Sequence, residues 1–418
     1  LSDLNQKSRR KMNNNILSFK ENFTNTKDSK SFYIKKISLK NFRNHKNLNL
    51  NLKNSSILIY GGNGSGKTNI LEAISLLNQG KGLRKANIEN FLNQEKICDN
   101  SFKTWGINVD FVSPNGKFNI GTGLKKTGTN KSRIAKLNSN YTPLSSLGEI
   151  LNISWITPQL CVLILSSMNE KRRFIDRLTM SIDSLHLNRV YKYDKLFRQR
   201  NKILMQPNSD EKWLDTIESQ ISELSVSIIA RRLDLLEELE NLYKIEFKNN
   251  HLTKHFPAVS IIINGKIEKL LEEKPALEVE DYVKSELKKS RFNYDLFVPG
   301  PNNSLIEIFN RIDNKNLDIS STGEQKLILI SIILSHARLL NDKFNMAPIL
   351  LLDDIIEHLD NKHRKALFLE VSRHNAQSWF TSTSKDAFAG YPSFIDKINL
   401  QNIKENFDGN YHFRYGDI

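Results

Sequence analysis

The stretch ILIYGGNGSGKT, residues 57–68, decides the fold class because an apolar strand runs directly into a glycine-rich loop. The loop satisfies the Gly-x-x-x-x-Gly-Lys-Thr spacing of a P-loop, in the strand-to-helix context that the motif requires. Its glycines let backbone N–H groups and a helix N-terminus face phosphate oxygens, while Lys67 reaches the β- and γ-phosphates and Thr68 binds Mg²⁺. The predicted nucleotide site comprises Gly61, Gly62, Asn63, Gly64, Ser65, Gly66, Lys67 and Thr68.

A second apolar strand, Ile349–Leu352, is followed directly by two carboxylates. This is typical of a Walker B strand, in which the first acid holds Mg²⁺ and the second lies beside the attacking water. We therefore assign Asp353 to the metal site, together with Thr68, and Asp354 to catalysis. Asp354 is shorter than the glutamate usual at this position in ABC ATPases, so slow hydrolysis is expected. Residues 357–360, Glu-His-Leu-Asp, lie where a D-loop would be.

The segment Ser-Thr-Gly-Glu-Gln at 321–325 opens a long apolar helix. It resembles the Ser-x-Gly-x-Gln signature of ABC ATPases, which contacts the γ-phosphate of ATP held by the opposite subunit. The resemblance implies nucleotide contacts from Ser321, Gly323 and Gln325. The spacing Ser321-x-x-Glu324 is also that of an ordinary helix capping box, and the two interpretations are compatible.

A further candidate lies in ISWITPQL, residues 153–160. Gln159 is in the position of a Q-loop residue, which senses the metal and couples the nucleotide site to inserted helices. The alternative is an exposed loop glutamine.

Hydrophobic periodicity outlines the rest of the chain. Alternating apolar residues predict strands before the P-loop, and further strands over 105–112 and 117–123. Helical spacing over 169–205, and again from 210 toward 242, predicts two helices of about 35 residues, each roughly 50 Å long. We expect an α/β fold, a P-loop ABC-type ATPase head with an inserted helical-hairpin lobe. The expected domains are a flexible extension (1–30), the head or lobe I (31–164 and 291–418), and helical lobe II (165–290).

Composition narrows the class of protein. The chain has 418 residues, a formal net charge of +15 and a pI near 9.5, which favours polyanions such as nucleic acid or an acidic membrane surface. A lysine- and asparagine-rich chain encoded by an AT-rich genome would carry the same excess of positive charge. Two widely separated cysteines, Cys98 and Cys161, suggest neither a disulfide framework nor a zinc site. With no membrane-length apolar run and no hydrophobic signal core, we expect a cytosolic protein that does not enter a membrane.

Together these motifs resemble the RecF family, the recombinational-repair relatives of the SMC-type ATPases. IKKISLKNFRNHKNLNLNL at 34–52, with its Phe42-Arg43 step, resembles the RecF opening, and NEKRRFIDRL at 169–178 resembles the start of its helical lobe. STGEQK and LLLDDIIEHLD resemble its signature and Walker B segments. The similarity covers most of residues 32–385, and helices of about 35 residues are too short for an SMC coiled coil.

The resemblance implies a protein of DNA replication, DNA repair and the SOS response. Such a protein is an ATP- and Mg²⁺-dependent homodimer that binds double-stranded DNA at gaps and helps RecO and RecR load RecA. It is a weak ATPase in which hydrolysis acts as a timer. Runs of positive charge supply the candidate DNA contacts, although such a run is more often only a solvated face: Lys125, Lys126, Lys131, Arg133, Lys171, Arg172 and Arg173.

Three segments of the chain depart from the RecF pattern, and three other functions remain as alternatives. Gly-Pro-Asn-Asn at 300–303 replaces a Gly-Pro-His-Arg segment, residues 161–168 lack the expected glycine and acidic residues, and Thr-Ser-Thr-Ser at 381–384 replaces a switch histidine. The rivals are a transporter ATPase, a nuclease of the overcoming-lysogenisation-defect type and an SMC-like tether. The transporter ATPase is the main alternative.

Overall fold

The computed structural model describes residues 32–53, 56–93, 104–113, 116–206, 210–249, 255–292, 298–345, 347–373, 377–388 and 395–400. The predicted extension at 1–30 and Cys98 lie outside this part of the chain. No helix within the described ranges combines the length and apolar character needed to cross a membrane.

The strands, in chain order, are β1 (Tyr33–Phe42), β2 (His45–Asn51), β3 (Ser56–Tyr60), β4 (Gly106–Ser113), β5 (Gly116–Thr127), β6 (Asn130–Leu137), β7 (Asn140–Thr142), β8 (Ile153–Ile156), β9 (Val259–Asn264), β10 (Leu305–Asn310), β11 (Lys315–Asn316), β12 (Ile349–Leu352), β13 (Ser378–Ser382) and β14 (Ile395–Asn399). The predicted strands around the P-loop and at 105–112 and 117–123 are confirmed by β1 to β5.

The α-helices are α1 (Lys67–Ser75), α2 (Leu144–Ile150), α3 (Pro158–Ser166), α4 (Met168–Ile182), α5 (His186–Leu204), α6 (Glu211–Asn249), α7 (Lys266–Glu273), α8 (Ala276–Lys289), α9 (Thr322–Phe344) and α10 (Asn361–Arg373).

A five-stranded parallel sheet, in the order β14-β3-β13-β12-β8, forms the centre of the head. Strands β3, β8 and β12 are short and almost wholly buried, as expected for parallel strands covered on both faces. Helices α1 and α9 pack against this sheet. Because the strands are parallel, all their carboxyl ends meet at one edge, which holds the predicted phosphate and metal residues.

A six-stranded antiparallel sheet, in the order β2-β1-β4-β5-β6-β7, forms the second layer of the head. The turn between β1 and β2 crosses back toward the P-loop, where Arg43 donates a backbone hydrogen bond to the Phe91 carbonyl at 2.7 Å. Phe42, Phe91 and Trp105 pack ring to ring beneath it. This aromatic cluster fixes the turn against the nucleotide edge.

The prediction of one helix over 169–205 is wrong, because the chain breaks between α4 and α5. Asp183 adopts an extended backbone conformation at the end of α4. Its side chain accepts a hydrogen bond from the Leu185 N–H at 3.1 Å, and its carbonyl accepts one from the His186 N–H at 3.0 Å. Hydrogen bonds of this kind stabilise a turn, which here interrupts the helix that the hydrophobic periodicity predicted. The second predicted helix is confirmed and extends further, as the 39-residue α6.

A second, smaller core lies among α5, α6, α7 and α8. The N-terminal half of α6 packs in this core, while its later residues Leu235 and Leu239 belong to the core of the head. Strand β9 leaves the helical region to pair with β10, so a small sheet, β11-β10-β9, bridges the two regions. The division into lobe I and lobe II at 164 and 291 stays a proposal.

Candidate nucleotide site

Four strands deliver the polar residues of the site to one edge of the parallel sheet. The P-loop follows β3, the two aspartates follow β12, residues 382–384 end and follow β13, and Gln159 follows β8. The Gly61 N–H bonds the Ser382 carbonyl at 3.3 Å, and the Asp353 N–H bonds the Ile156 carbonyl at 3.1 Å. Backbone hydrogen bonds between adjacent strand ends therefore hold this edge together.

The P-loop is wound tightly enough to exclude side chains at key points. Gly66 has a φ of 98°, and a Cβ there would lie 2.5 Å from Asn44 Nδ2 and 2.6 Å from His45 Nε2. Lys67, only 6% exposed, donates hydrogen bonds to the carbonyl oxygens of Gly61 at 2.8 Å and Gly62 at 3.2 Å. The ammonium group is thus held over the loop, in the position from which it would bind phosphate.

Thr68 and Asp353, predicted to share a metal, lie in direct contact. The Thr68 hydroxyl donates to Asp353 Oδ1 at 2.9 Å, and the Thr381 hydroxyl donates to the same oxygen at 2.9 Å. Asp353 is 2% exposed, and burial raises the pKa of its carboxyl despite those two hydrogen bonds. A buried carboxylate whose direct donors are neutral hydroxyls, beside a second oxygen ligand, fits a hard divalent cation such as Mg²⁺.

Asp354 has a different environment from that of its neighbour. Its backbone is left-handed, with a φ of 48°, and its N–H bonds the Thr381 hydroxyl at 2.8 Å. The same hydroxyl lies 3.2 Å from Asp354 Oδ1, so it contacts both acids. Aspartate tolerates this conformation better than most residues, and the turn carries the carboxylate out of the core to a partly exposed position.

Gln159 is exposed in the first turn of α3. Thr157 caps this helix by accepting a hydrogen bond from the Leu160 N–H at 3.0 Å, and Pro158 occupies its first turn. Since β8 pairs with β12, with Ile156 opposite Leu352, Gln159 projects from the strand end adjacent to that of Asp353. Its role as metal sensor stays a prediction.

The turn after β1 contributes residues that the sequence reasoning did not assign to the site. Arg43 makes a two-pronged contact with the fully buried Glu72 of α1, at 2.8 and 2.9 Å. Asn44 Nδ2 donates to the Ser65 carbonyl at 3.2 Å, and His45 Nε2 lies 3.2 Å from the Gly66 carbonyl. The Phe42-Arg43 step was the available signal, but only the fold brings residues 43–45 against the P-loop.

The signature segment lies on the surface. Residues 321–324 are exposed, and Ser321 caps α9 in a complete capping box with Glu324. Gln325 donates to the Leu317 carbonyl at 3.0 Å. Lys315 bonds Glu324 at 2.8 Å and, with the Ser321 N–H, holds the pKa of that carboxyl at about 2. The helix cap is therefore observed, while the contact with nucleotide stays a prediction.

Two of the proposed DNA contacts are wrong. Lys171 is 3% exposed and forms a two-pronged ion pair with Asp318 at 2.7 Å. Arg133 donates to backbone carbonyls near the end of α1, including those of Gly80 at 2.6 Å and Asn78 at 2.9 Å. Burial lowers the pKa of its guanidinium to about 10. Both cations are used inside the fold.

The departing segment at 300–303 is also part of the packing between regions. Arg232 of α6 donates to the Pro301 carbonyl at 2.8 Å while pairing with the buried Asp176. Asn302 bonds Asp194 of α5 at 3.1 Å. The other departing segment, 161–168, forms most of α3 and the junction with α4.

Comparison with known proteins gives a consistent likeness. The family model for the RecF/RecN/SMC N terminal domain matches residues 33–404. A DNA replication and repair protein RecF from Mesorhizobium japonicum is 34% identical over 361 residues, covering 85% of this chain and 93% of that protein. The protein of the same name from Rickettsia canadensis is 33% identical over 376 residues, covering 89% of this chain and 100% of that protein.

Solved structures give the same fold. The recombination mediator protein RecF with ATP, of the RecFOR pathway, matches with a TM-score of 0.72 and 24% identity, covering 90% of this chain and 98% of that one. A second RecF structure from that pathway matches with a TM-score of 0.74 and 24% identity, covering 88% and 97%. The predicted fold class, a P-loop ABC-type ATPase head with an inserted helical lobe, is confirmed.

Proposed function

Since this chain belongs to the RecF family within the RecF/RecN/SMC group, we propose that it is a DNA-repair ATPase in which ATP closes two copies around double-stranded DNA. The observation that carries the nucleotide part is the contact between Thr68 and Asp353, 2.9 Å apart across 285 residues of sequence. It joins a P-loop to the end of a second parallel strand, as a Mg²⁺–ATP site requires.

Each residue of the proposed site has a separate role. Lys67 exchanges its two carbonyl partners for phosphate oxygens, and the N–H groups of residues 61–66 surround the phosphates. Thr68 and Asp353 supply the protein oxygens to Mg²⁺, which would neutralise phosphate charge when bound. Asp354 orients the attacking water, and Gln159 reports the occupancy of the metal site to the inserted helices.

Slow hydrolysis is part of the proposal. Asp354 is a short acid at the position of the base. The end of β13 and the residues after it offer Ser382, Thr383 and Ser384 where a histidine would stabilise the reacting phosphate. Hydroxyl groups carry no charge at neutral pH, so they stabilise a developing anion less than a protonated histidine does. Turnover would then time the release of DNA.

The proposed dimer follows from the position of the signature. Residues 321–323 are exposed at the N-terminus of the 23-residue α9, and Ser321 is bonded there to Glu324 of the same helix cap. A helix N-terminus favours an anion, so a γ-phosphate held by a second copy fits this surface. ATP then acts as the link between two heads.

The proposed DNA surface lies on the β5–β6 hairpin. Lys125 and Lys126 are exposed there, and Lys126 lies opposite Lys131 in the strand register. Lys131 also pairs with Glu89 at 3.0 Å, so the exposed Lys125 and Lys126 are the main candidates for contacts with a phosphate backbone. Arg172 and Arg173 remain candidates, although Arg172 donates to the Ser304 carbonyl and Arg173 bonds Glu170.

Gap recognition, a cytoplasmic location, an SOS role and help to RecO and RecR in loading RecA complete the proposal. They rest on membership of the RecF family and on the name of the RecFOR pathway attached to the solved relatives. Loading of RecA on gapped DNA, measured with RecO and RecR in the presence and absence of this protein, tests them.

The decisive experiment measures binding of duplex DNA across a salt series with ATP, ADP or no nucleotide. We expect ATP to tighten binding and to steepen the log–log salt dependence, because two copies together contact more phosphates. Lys125→Ala/Lys126→Ala should reduce the slope by roughly one for each phosphate that is no longer neutralised. The matched control is Lys266→Ala/Lys269→Ala, which removes two exposed lysines from α7.

A slope unaffected by ATP would contradict the clamp. Absence of any ATP-dependent retention on DNA, with ATP binding intact, would instead favour the alternative, an ABC-type ATPase that energises another complex such as a transporter.

A further inference from the structure

Glu357 extends a third carboxylate toward the nucleotide edge, beyond the two aspartates already described. It follows β12 in a short 3₁₀ turn, Ile356–His358. The adjacent strand β13 ends at Ser382, and the Ser382 carbonyl accepts a hydrogen bond from the Gly61 N–H of the P-loop at 3.3 Å. A side chain that reaches residues 382–383 from the β12 side is therefore next to the phosphate-binding loop.

One oxygen of Glu357 accepts three hydrogen bonds from this segment. Oε1 lies 2.7 Å from the Thr383 N–H nitrogen, 2.9 Å from the Thr383 hydroxyl and 3.3 Å from the Ser382 hydroxyl. Partial burial opposes ionisation, but the bonds from Thr383 and Ser382 and the charge of Lys67 lower the pKa of the carboxyl below its ordinary value. Glu357 is consequently an anion at neutral pH, and it lies within the field of the P-loop lysine.

Because the Glu357 carboxylate is negatively charged and lies beside the phosphate-binding loop, its repulsion of a bound nucleotide should depend on the number of phosphates. Lys67 is the residue that reaches the β- and γ-phosphates in a P-loop. A γ-phosphate at Lys67 adds negative charge close to the Glu357 carboxylate, whereas ADP ends one phosphate earlier. Repulsion between like charges grows as distance falls, so ATP feels Glu357 more strongly than ADP does.

We propose that Glu357 is a γ-phosphate sensor that sets the preference between ATP and ADP. Without a γ-phosphate it holds the segment after β13 through its three hydrogen bonds. When a nucleoside triphosphate binds, repulsion releases those bonds and frees residues 356–360 from the segment after β13. This inference rests on the proposed nucleotide site and adds to it a residue that distinguishes the two nucleotides.

The test compares ATP and ADP affinities of the full chain by equilibrium titration. Glu357→Gln keeps an acceptor for Thr383 but removes the charge, so ATP affinity should rise by about threefold to tenfold while ADP affinity changes by less than about twofold. The matched control, Glu237→Gln, removes one exposed carboxylate from α6 and should leave both affinities unchanged. Because the effect is Coulombic, the difference between Glu357→Gln and wild type should shrink as salt rises.

Thr383→Val provides a second, independent readout. It removes one of the three donors and leaves the charge, so ATP should gain by less than about threefold and the gain should not fall with salt. Equal shifts in ATP and ADP affinity for Glu357→Gln, or no difference from Glu237→Gln, would overturn the sensor. If wild-type protein binds neither nucleotide, the proposed nucleotide site itself fails, which is a distinguishable result.

Discussion

The two regions that would contact ATP, the P-loop edge and the signature segment at 321–325, differ in how completely a single copy of the chain forms them. At the P-loop edge, Lys67 and Asp353 are 6% and 2% exposed and already bonded to neighbouring groups. At the signature, Ser321 and Gly323 are exposed, and a Cβ added to Gly323 would meet no atom of the described residues within 4 Å. The first region is preorganised, whereas the second presents open surface.

This contrast separates binding from assembly. A preorganised pocket can hold nucleotide in a single copy, since its donors need little rearrangement. At the signature, the capping box already satisfies the Glu324 N–H, so this exposed helix N-terminus gains further hydrogen bonds only when an anion arrives from outside. Substitutions in the two regions should therefore fail in different ways.

The largest effect is expected from Lys67→Ala. Charge-assisted hydrogen bonds to phosphate contribute roughly 1.5–3 kcal/mol each, and the lysine makes more than one, so ATP affinity should fall by about a thousandfold. Equilibrium titration with ATP measures this loss, and Lys269→Ala on α7 serves as the charge-matched control. Unchanged affinity would remove the P-loop assignment.

At the P-loop edge, substitutions of the two adjacent aspartates should affect different steps, hydrolysis for Asp354→Asn and Mg²⁺ binding for Asp353→Asn. Asp354→Asn should retain Mg²⁺–ATP and lose about a hundredfold in hydrolysis, the usual range for removal of a general base. It should also trap the closed dimer. Asparagine also tolerates the left-handed backbone at this position.

Asp353→Asn should instead weaken Mg²⁺ binding, seen as a rightward shift in the Mg²⁺ dependence of ATP affinity. Identical behaviour of the two variants would contradict the division of roles between the adjacent acids.

At the signature segment, Ser321→Arg should leave the ATP affinity of a single copy within about twofold of wild type. It should weaken ATP-driven dimerisation by about thirtyfold, the range for removing a desolvated charged interaction. Sedimentation with ATP measures the dimer. Ser321→Arg also removes a helix cap, which costs about 1 kcal/mol of stability.

Ser321→Asp separates the cap from the proposed phosphate contact. Aspartate caps a helix as well as serine does, but its charge would face the phosphate of the second copy. If Ser321→Asp dimerises normally with ATP, Ser321 is a helix cap and no more.

The sequence predicted the features that local chemistry specifies. The P-loop glycines, the acids after β12 and the capping box of Ser321 with Glu324 each follow from a few adjacent residues. Their contacts across the chain, such as Thr68 with Asp353, follow because parallel strand ends share one edge of a sheet. Those parts of the site were therefore predictable.

The errors come from partners that no local pattern reveals. Lys171 pairs with Asp318, 147 residues away, and Arg133 bonds carbonyls more than 50 residues earlier. A cationic run has the same appearance in sequence whether it faces solvent or a buried acceptor. The break at Asp183 was missed because a side-chain turn outweighed a hydrophobic period. Glu357 was assigned to a segment, but its three hydrogen bonds depend on the pairing of β12 with β13.

The smallest expected effect concerns the contact between α9, which follows the signature segment, and α4. His336 lies fully buried on α9, the helix that carries the signature, with Nε2 2.7 Å from the Ser181 hydroxyl and 3.1 Å from the Leu178 carbonyl of α4. Burial lowers the pKa of its imidazole to about 4, against an opposing contribution from the Leu178 bond. The folded protein therefore keeps this histidine neutral well below the pH at which the unfolded chain would protonate it.

The direction of the pH effect follows from that difference. The unfolded chain binds a proton near pH 6.5 and the folded chain only near pH 4, so the unfolded state gains protons first as pH falls, and stability decreases through this window. As pH falls from about 7 to about 5.5, the lowered pKa of His336 should reduce the free energy of unfolding of the wild-type protein by about 1 kcal/mol. Denaturant unfolding of wild type and His336→Gln at both pH values measures it, and the variant should lack that share of the decrease. Parallel pH dependence in the two proteins would mean that folding does not lower the pKa of His336, which contradicts the prediction.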